Sequence, residues 1–421
     1  MLGFWAILTA IVLFNLGWWR WADRRIKPLP YALLWRSLLA IFIGGQLGYL
    51  AAFVVVPQWA RRAHEVVPDS ILGMVFLWGI LVLPVTGLIT LLITAGRGIF
   101  HAVRRRRVAE PVVEKEPEAV ASVTPPLSRR QILAAAAVAV PPLVTGVGVA
   151  YGRRSLYDLQ LTHIDIPIAG LPDHLDGVKI AQITDCHVGK FVHEEYLRKA
   201  AEMANTLNAD VHLLTGDLID LSIHDLPLAL DFVSWLKPIH DLAMCEGNHD
   251  LLDDANIFYS ECHQRGVPIL ANDSRLLRLP NRSTPINLMG LRWGVPGTHG
   301  ATDAGYAEMI KAVWTKRDPS RLSVEQGGPL PILMAHHPHT FDAAAAAGVP
   351  LTLSGHTHGG LLMLSEKVGP AALMYRYFRG LYQKPGAALY VSNGVGSWFP
   401  VRTAARPEIA CLTLRRAVQE I

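Results

Sequence analysis

Three uncharged apolar runs in the first hundred residues set the first limit on how this chain folds. Leu2 to Trp19, Leu38 to Val56 and Ile71 to Ala95 hold 18, 19 and 25 residues without a charged side chain. A helix needs about 20 apolar residues to cross a hydrocarbon core of ~30 Å, so each run reads as a transmembrane helix. Buried helices of soluble domains rarely extend this far without a polar face. Pro84 lies inside the third run, where a membrane helix tolerates it.

A fourth run, Ile132 to Tyr151, is richer in Ala and Gly and contains Pro141-Pro142. It comes after Ser128-Arg129-Arg130-Gln131-Ile132-Leu133, which resembles a twin-arginine export motif in an internal position. The stretch 131–152 is therefore read as a fourth span or a twin-arginine-like anchor, with Gly148-Val149-Ala150 a weak processing site. Either way, the chain beyond Tyr151 is sent across the membrane. The resulting organisation is a three-helix membrane domain over 1–100, a basic cluster and charged, Pro-rich linker over 101–130, the fourth helix, and a C-terminal domain over 153–421. The linker from Val108 to Leu127 carries four glutamates and four prolines.

Composition agrees with this split. Hydrophobic residues make up 51% of the chain and mean hydropathy is +0.27, an excess concentrated in the first 150 residues. The net charge of +4 comes largely from arginines beside the apolar runs, which speaks of membrane topology rather than of nucleic-acid binding. Arg20, Arg24, Arg25 and Lys27 follow the first run; Arg97, Arg104 to Arg107, Arg129 and Arg130 follow the third. Placing both groups in the cytoplasm gives four spans and an extracytoplasmic C-terminal domain. The loop with Arg61 and Arg62 is less positive, as this requires, while Arg153 and Arg154 count against it. The expectation is a multi-pass protein of the inner (cytoplasmic) membrane. No acidic residue sits mid-span to couple transport, and the N-terminal tryptophans fit interfacial belts. Four cysteines, Cys186, Cys245, Cys262 and Cys411, form no zinc or disulfide pattern.

From about Leu156 the pattern changes to short β-type runs alternating with helical stretches. Five runs end in polar clusters: Val178 to Ile183 before Asp185-Cys186-His187, and Val211 to Leu214 before Gly216-Asp217-Leu218-Ile219-Asp220. Leu242 to Cys245 precedes Gly247-Asn248-His249-Asp250, Ile332 to Ala335 precedes His336-His337-Pro338, and Leu351 to Leu353 precedes Gly355-His356-Thr357-His358-Gly359-Gly360. Glu194 to Leu207 and Leu226 to Leu236 have helical spacing between strands. Such alternation implies a largely parallel α/β core, whose sites gather at the carboxyl ends of strands. Histidine, carboxylate and amide together suit Mn²⁺, Fe or Zn²⁺.

These clusters, in this order over about residues 160–415, resemble the calcineurin-like metallophosphoesterase family. Gly359-Gly360, Gly380-Leu381-Tyr382 and Tyr390-Val391-Ser392-Asn393-Gly394 are similar to its bacterial membrane-linked phosphohydrolase branch. The resemblance implies a four-layer α/β/β/α sandwich with two mixed sheets, preceded here by the transmembrane segment. It implies two divalent metals: Asp185, His187 and His358 on one, Asn248, His336 and His356 on the other, and Asp217 bridging. His249 is then the catalytic histidine beside the metals. Asp250 is expected to orient its imidazole, and Asp220 to fix the tautomer of a ligand histidine. His337 competes with His336 as ligand, and register with Pro338 favours His336. Leu361 stands where the branch often has Gln. Cys186 and Cys245 are expected to fill small core pockets and His212 to be a core histidine, while His299 is a candidate near the substrate.

The function so implied is hydrolysis of a phosphomonoester or phosphodiester by a two-metal centre and its bridging hydroxide. Lipid-linked esters are the natural substrates by location, and nucleic acid is not expected, since the domain has no basic stripe with interleaved aromatics. The alternative is a catalytically silent metal-binding module or scaffold at the membrane.

Overall fold

The computed structural model describes residues 2–55, 67–105, 128–294, 302–315 and 328–417. The Arg61-Arg62 pair, the linker Val108 to Leu127 and His299 lie outside the described residues. The chain divides into two compact units, Met1–Ala150 and Tyr151–Ile421.

The first unit is helical. Helices Leu2–Ile26 and Ala32–Val55 are followed by Asp69–Phe76, which passes through a π-helical stretch, Leu77–Val82, into Leu83–Arg105. Helix Arg129–Ser155 closes the series. Among the described residues three segments are long and apolar enough to cross a membrane: Ala32–Ala51, Asp69–Phe100 and Arg129–Ser155. Their most apolar stretches bury only 17–22% of their residues, so leucines such as Leu88, Leu91 and Leu92 face outward. Water would oppose that arrangement and lipid would not. The run Leu2 to Trp19 is helical too, but its helix continues through Arg20, Asp23, Arg24 and Arg25. Polar atoms are turned inward instead. Asn15 and Trp78 are wholly buried, and Trp78 Nε1 donates to Asn15 Oδ1 at 2.9 Å. Trp18 and Phe42 meet the Trp78 ring edge-on at 4.8 and 4.9 Å. The π-helical stretch thus carries the ring that organises this core.

The second unit holds two mixed sheets, as the four-layer expectation requires. Its strands are β1 (Gln160–Ile168), β2 (Lys179–Ile183), β3 (Val211–Thr215), β4 (Asp241–Cys245), β5 (Asp273–Leu277), β6 (Ile286–Gly290), β7 (Leu330–Met334), β8 (Leu351–Ser354), β9 (Gly380–Lys384), β10 (Ala387–Val391) and β11 (Glu408–Arg416). One sheet has the order β1-β11-β2-β3-β4 and the other β5-β6-β7-β8-β10-β9. The parallel neighbours β2-β3-β4 run out to one edge of the first sheet, and β6-β7-β8 lie inside the second. Strands such as Val211-His212-Leu213-Leu214-Thr215 are buried along their whole length, which is why they read as apolar runs rather than alternations.

Three apolar layers hold the sandwich. Between the sheets, Ile180, Leu213 and Ala243 meet Leu288, Ile332 and Leu353. Outside the first sheet, Leu197, Ala200, Ala201 and Ala204, at helical spacing on Glu194–Thr206, pack with Ala181, Ile183 and Leu214. Helix Ala255–Gln264 joins them, its first turn capped by the Asp254 carboxylate, which accepts from the N–H groups of Asn256 and Ile257. Outside the second sheet, Tyr306, Ile310 and Val313 of helix Asp303–Thr315 cover Met289 and Leu333. His212 is wholly buried in β3, and burial lowers its pKa to about 4.

Candidate metal centre

The polar clusters follow the carboxyl ends of β2, β3, β4, β7 and β8, where consecutive peptides leave the sheet and are free to turn. They turn sharply. Asp185, His187, Asp217, His356 and His358 all adopt left-handed backbone, with φ of 50°, 44°, 55°, 70° and 50°. Such conformations cost non-glycine residues of order 1–3 kcal/mol each and persist where the surroundings over-determine them. Two glycines make the crowding possible. A Cβ on Gly247 would lie 2.1 Å from Asp217 Oδ1, and one on Gly355 would lie 2.1 Å from Asp185 Oδ2. Close approach, rather than flexibility, is what glycine contributes at these two positions.

The side chains converge in two groups. Ligand-capable atoms of Asp185, His187 and His358 lie within 4.8 Å of one another, as do those of Asp217, His336 and His356. In the first, His358 Nε2 is 3.3 Å from Asp185 Oδ1 and 3.0 Å from His187 Nε2. In the second, His336 Nε2 is 2.9 Å from Asp217 Oδ2. Asp217 Oδ2 also lies 3.5 Å from His187 Nε2, so this carboxylate touches both groups. Asn248 Oδ1 is 3.0 Å from His356 Nδ1. His337 belongs to neither group; its ring lies 5.0 Å from that of His356 and 5.3 Å from that of Trp293.

These donors fit divalent cations. His336 Nδ1 donates to the Thr215 carbonyl at 2.7 Å, which leaves the buried Nε2 as the nitrogen that faces the Asp217 carboxylate and would meet a cation there. Burial works to lower the pKa of His187 and His336. The facing carboxylates win nevertheless, Asp185 and Asp220 foremost at His187 and Asp217 at His336, and push them up to about 10 and about 9. Acceptors this crowded and buried demand positive charge between them.

The polar residues around the groups correct one expectation. The Asp250 carboxylate does not orient His249. It accepts the backbone N–H groups of Asp217 (3.0 Å), Leu218 (2.7 Å), Ile219 (3.2 Å) and Gly247 (2.8 Å), clamping two ligand-bearing loops together. Burial, with Asp217 nearby, pushes its pKa up to about 6. His249 is held by Asp220 instead: its Nδ1 donates to the Asp220 carbonyl at 2.8 Å, with Oδ1 of the same residue 3.2 Å away. Asp220 Oδ1 also lies 3.5 Å from His187 Nδ1. Burial opposes its ionisation, but the two histidines hold its pKa down to about 2. One ring nitrogen of His249 comes within 4.8 Å of ligand atoms of His187 and Asp217.

Three participants carry no mark in the sequence pattern or only a faint one. Arg402 is wholly buried and donates from Nη2 to His358 Nδ1 at 3.0 Å and to the Gly396 carbonyl, and from Nη1 to the Asn393 carbonyl at 2.9 Å. Burial lowers its pKa only to about 10, so it stays charged at neutral pH. Trp293 packs its ring against His356 (4.7 Å) and His336 (5.5 Å). The Trp293 backbone N–H donates to Glu246 Oε1 at 3.0 Å, and burial raises the Glu246 pKa to about 7. Glu246 adjoins the Gly247-Asn248-His249 cluster, which is the one signal that points to it; Arg402 and Trp293 belong to no repeated pattern. All four cysteines are buried free thiols.

Residues 178–360 match the model of a family described as calcineurin-like phosphoesterase. A zebrafish (Danio rerio) "Transmembrane protein with metallophosphoesterase domain" is 30% identical over 284 residues, covering 65% of this chain and 62% of that protein. An "Uncharacterized metallophosphoesterase" of Helicobacter pylori is 30% identical over 251 residues, covering 58% and 61%. "Phosphodiesterase YaeI" of Escherichia coli is 26% identical over 297 residues, covering 68% of this chain and 99% of the relative. The chain thus spans less than two-thirds of the length of the first two relatives.

Proposed function

Because this chain belongs to the calcineurin-like phosphoesterase family, we propose that its C-terminal unit is a two-metal phosphoester hydrolase working at a membrane. The observation that carries the reading is the pair of buried ligand groups that share Asp217. Asp185, His187 and His358 would hold one cation, Asn248, His336 and His356 the other, and Asp217 both. Two divalent ions, Mn, Fe or Zn, supply charge neutralisation for the phosphoryl oxygens and an acidified water.

The chain's own residues prepare that chemistry. Asp250 fixes the backbone from which Asp217 projects, and Thr215 sets the His336 tautomer. The Asp220 carbonyl occupies His249 Nδ1, so Nε2 is the nitrogen left to pass a proton to the departing oxygen. Trp293 fixes the planes of two ligand imidazoles and keeps water off that side. The same reading makes the chain a multi-pass inner-membrane protein, supported by the three apolar helices; the arginine distribution puts residues 153–421 on the extracytoplasmic side, which requires helix Leu2–Ile26 to span as well.

The test uses the full chain in detergent, stripped with a chelator and refilled with Mn²⁺, on nitrophenyl phosphate mono- and diesters. Metal-dependent turnover is expected, lost in both Asp217→Asn and His249→Ala, and the preferred ester assigns the substrate class. A folded, metal-loaded chain that hydrolyses neither ester refutes the proposal and leaves the silent binding module.

A further inference from the structure

The second unit sorts its apolar side chains inward, with one conspicuous departure. Leu364, Val368, Leu373 and Met374 are 62%, 56%, 92% and 68% exposed. Elsewhere among the described residues of this unit, only Tyr151, at its start, and Ile239 among the large apolar side chains pass half exposure. All four lie in the segment that leaves the Gly355-His356-Thr357-His358 cluster. Gly359 and Gly360, with φ of 62° and 92°, and Leu361, with φ of 35°, turn the chain outward directly after the ligand His358.

This segment is built rather than loose. Met363 and Ala371 are buried, and a Cβ on Gly360 would lie 2.8 and 2.7 Å from them. Thr403 fastens its start: its N–H donates to the Leu361 carbonyl at 2.8 Å, and its hydroxyl accepts from the Met363 N–H at 2.8 Å. The Leu364 N–H donates to the Val368 carbonyl at 2.8 Å, closing a turn. Tyr375, at the far end, returns to within 6.0 Å of the His356 ring. The protein therefore spends ordered structure on displaying leucine, valine and methionine beside its metal ligands.

More apolar rim surrounds the catalytic histidine. Trp398, 38% exposed, lies 6.0 Å from the His249 ring, ring to ring. Leu252 ends the short turn that begins at His249, and Leu221 follows Asp220; they are 46% and 36% exposed. Tryptophan and leucine with an exposed lysine, here Lys367, are the composition of a surface that dips into the headgroup region of a bilayer. The same chain carries the bilayer's signature: apolar helices long enough to span it, the last of which ends at Ser155, with β1 beginning at Gln160.

We propose that Leu361 to Met374, with Leu221, Leu252 and Trp398, forms a membrane-seated rim, and that the substrate is the phosphoester headgroup of a membrane lipid. This rests on the hydrolase reading of the same site. Seating the rim would bring a headgroup phosphate to the ligands without lifting the acyl chains into water.

Two measurements on the full chain in lipid nanodiscs test it. In the first, Leu373→Cys is labelled with nitrobenzoxadiazole, the native cysteines being buried. The label should emit blue-shifted and be quenched by lipids brominated in the upper acyl chain. Water-like, unquenched emission would overturn the proposal, as would a blue shift that bromolipids leave unquenched and that accompanies crosslinked dimers, which assigns the rim to a second copy. In the second, the ratio of turnover on dioleoyl phosphatidic acid or dioleoyl phosphatidylglycerol to turnover on soluble nitrophenyl esters is compared with that of a Leu373→Glu, Met374→Glu variant. The ratio should fall at least about tenfold, because binding energy remote from the phosphorus is removed. Wild-type turnover of soluble esters with none on either lipid sinks this inference and spares the hydrolase; turnover of nothing sinks the hydrolase, while the quenching still reports on the rim.

Discussion

The Asp185–His187–His358 group and the Asp217–His336–His356 group offer a cation nearly the same atoms but are braced by opposite chemistry. His336 is held from behind by a backbone carbonyl, which takes its Nδ1 proton and turns the Nε2 lone pair inward. His358 is held by a guanidinium, a donor with a full positive charge at its Nδ1. A neutral His358 that accepts at Nδ1 carries its proton on Nε2, so a cation in the first group must displace that proton while facing the guanidinium charge across the same imidazole. The difference teaches that two groups sharing one carboxylate need not share one affinity: with both filled, the second is expected to be the tighter and the first to release its ion earlier.

The largest effect should come from removing what the groups share. Asp217→Asn is expected to lower turnover by more than about a thousandfold, beyond the ~10²–10³ cost of a single electrostatic stabiliser, and to lower bound metal in elemental analysis. Metal content unchanged from wild type would break the picture of one bridging carboxylate. His249→Ala should cost about 10²–10⁴-fold in turnover with metal content intact, since this histidine acts beside the groups. Loss of metal there would make it a ligand instead. Arg402→Met bears on the comparison itself. Chelator titration of wild type should show two releases separated by about tenfold or more, and the substitution should narrow the gap, outer partners of ligands being worth about 10–100-fold in affinity. A single release in both proteins would refute the asymmetry. The smallest effect is a control outside both groups. With a folded pKa of about 4 against an ordinary 6.5, His212 is neutral when buried, while the unfolded chain takes up a proton below pH 6.5. Its stabilisation is complete above pH 6.5 and declines by up to ~3 kcal/mol as pH falls toward 4. Thermal unfolding of His212→Leu should accordingly lose less between pH 7.5 and 5 than wild type does.

The sequence made legible whatever is local. Five apolar runs that each stop at a polar cluster announce buried parallel strands and the end at which a site gathers, and the structure brings those clusters together. Adjacency misled at Asp250, because successive residues of the tight turn His249–Leu251 point in different directions, sending His249 to the site and Asp250 into the core. Arg402 was unreadable for a different reason. An isolated arginine reads as surface or topology, and only the fold shows three carbonyls and an imidazole waiting for it. The first apolar run ended earlier than its helix, since a helix needs no change of geometry to pass from apolar to charged residues. The pairing of β1 with β11 left no local mark, because nothing in either strand names a partner nearly 250 residues away.

That pairing bears on how the protein is made. Strand β11 lies between β1 and β2, parallel to one and antiparallel to the other. The first strand of the unit to leave the ribosome thus finds no neighbour until residues 408–416 have been synthesised, and until then two open strand edges stand exposed. Vectorial, strand-by-strand folding is closed to this sheet. The nascent first sheet must therefore be protected until almost the whole unit has been made, and a message truncated before β11 should yield an aggregation-prone fragment rather than a smaller folded unit.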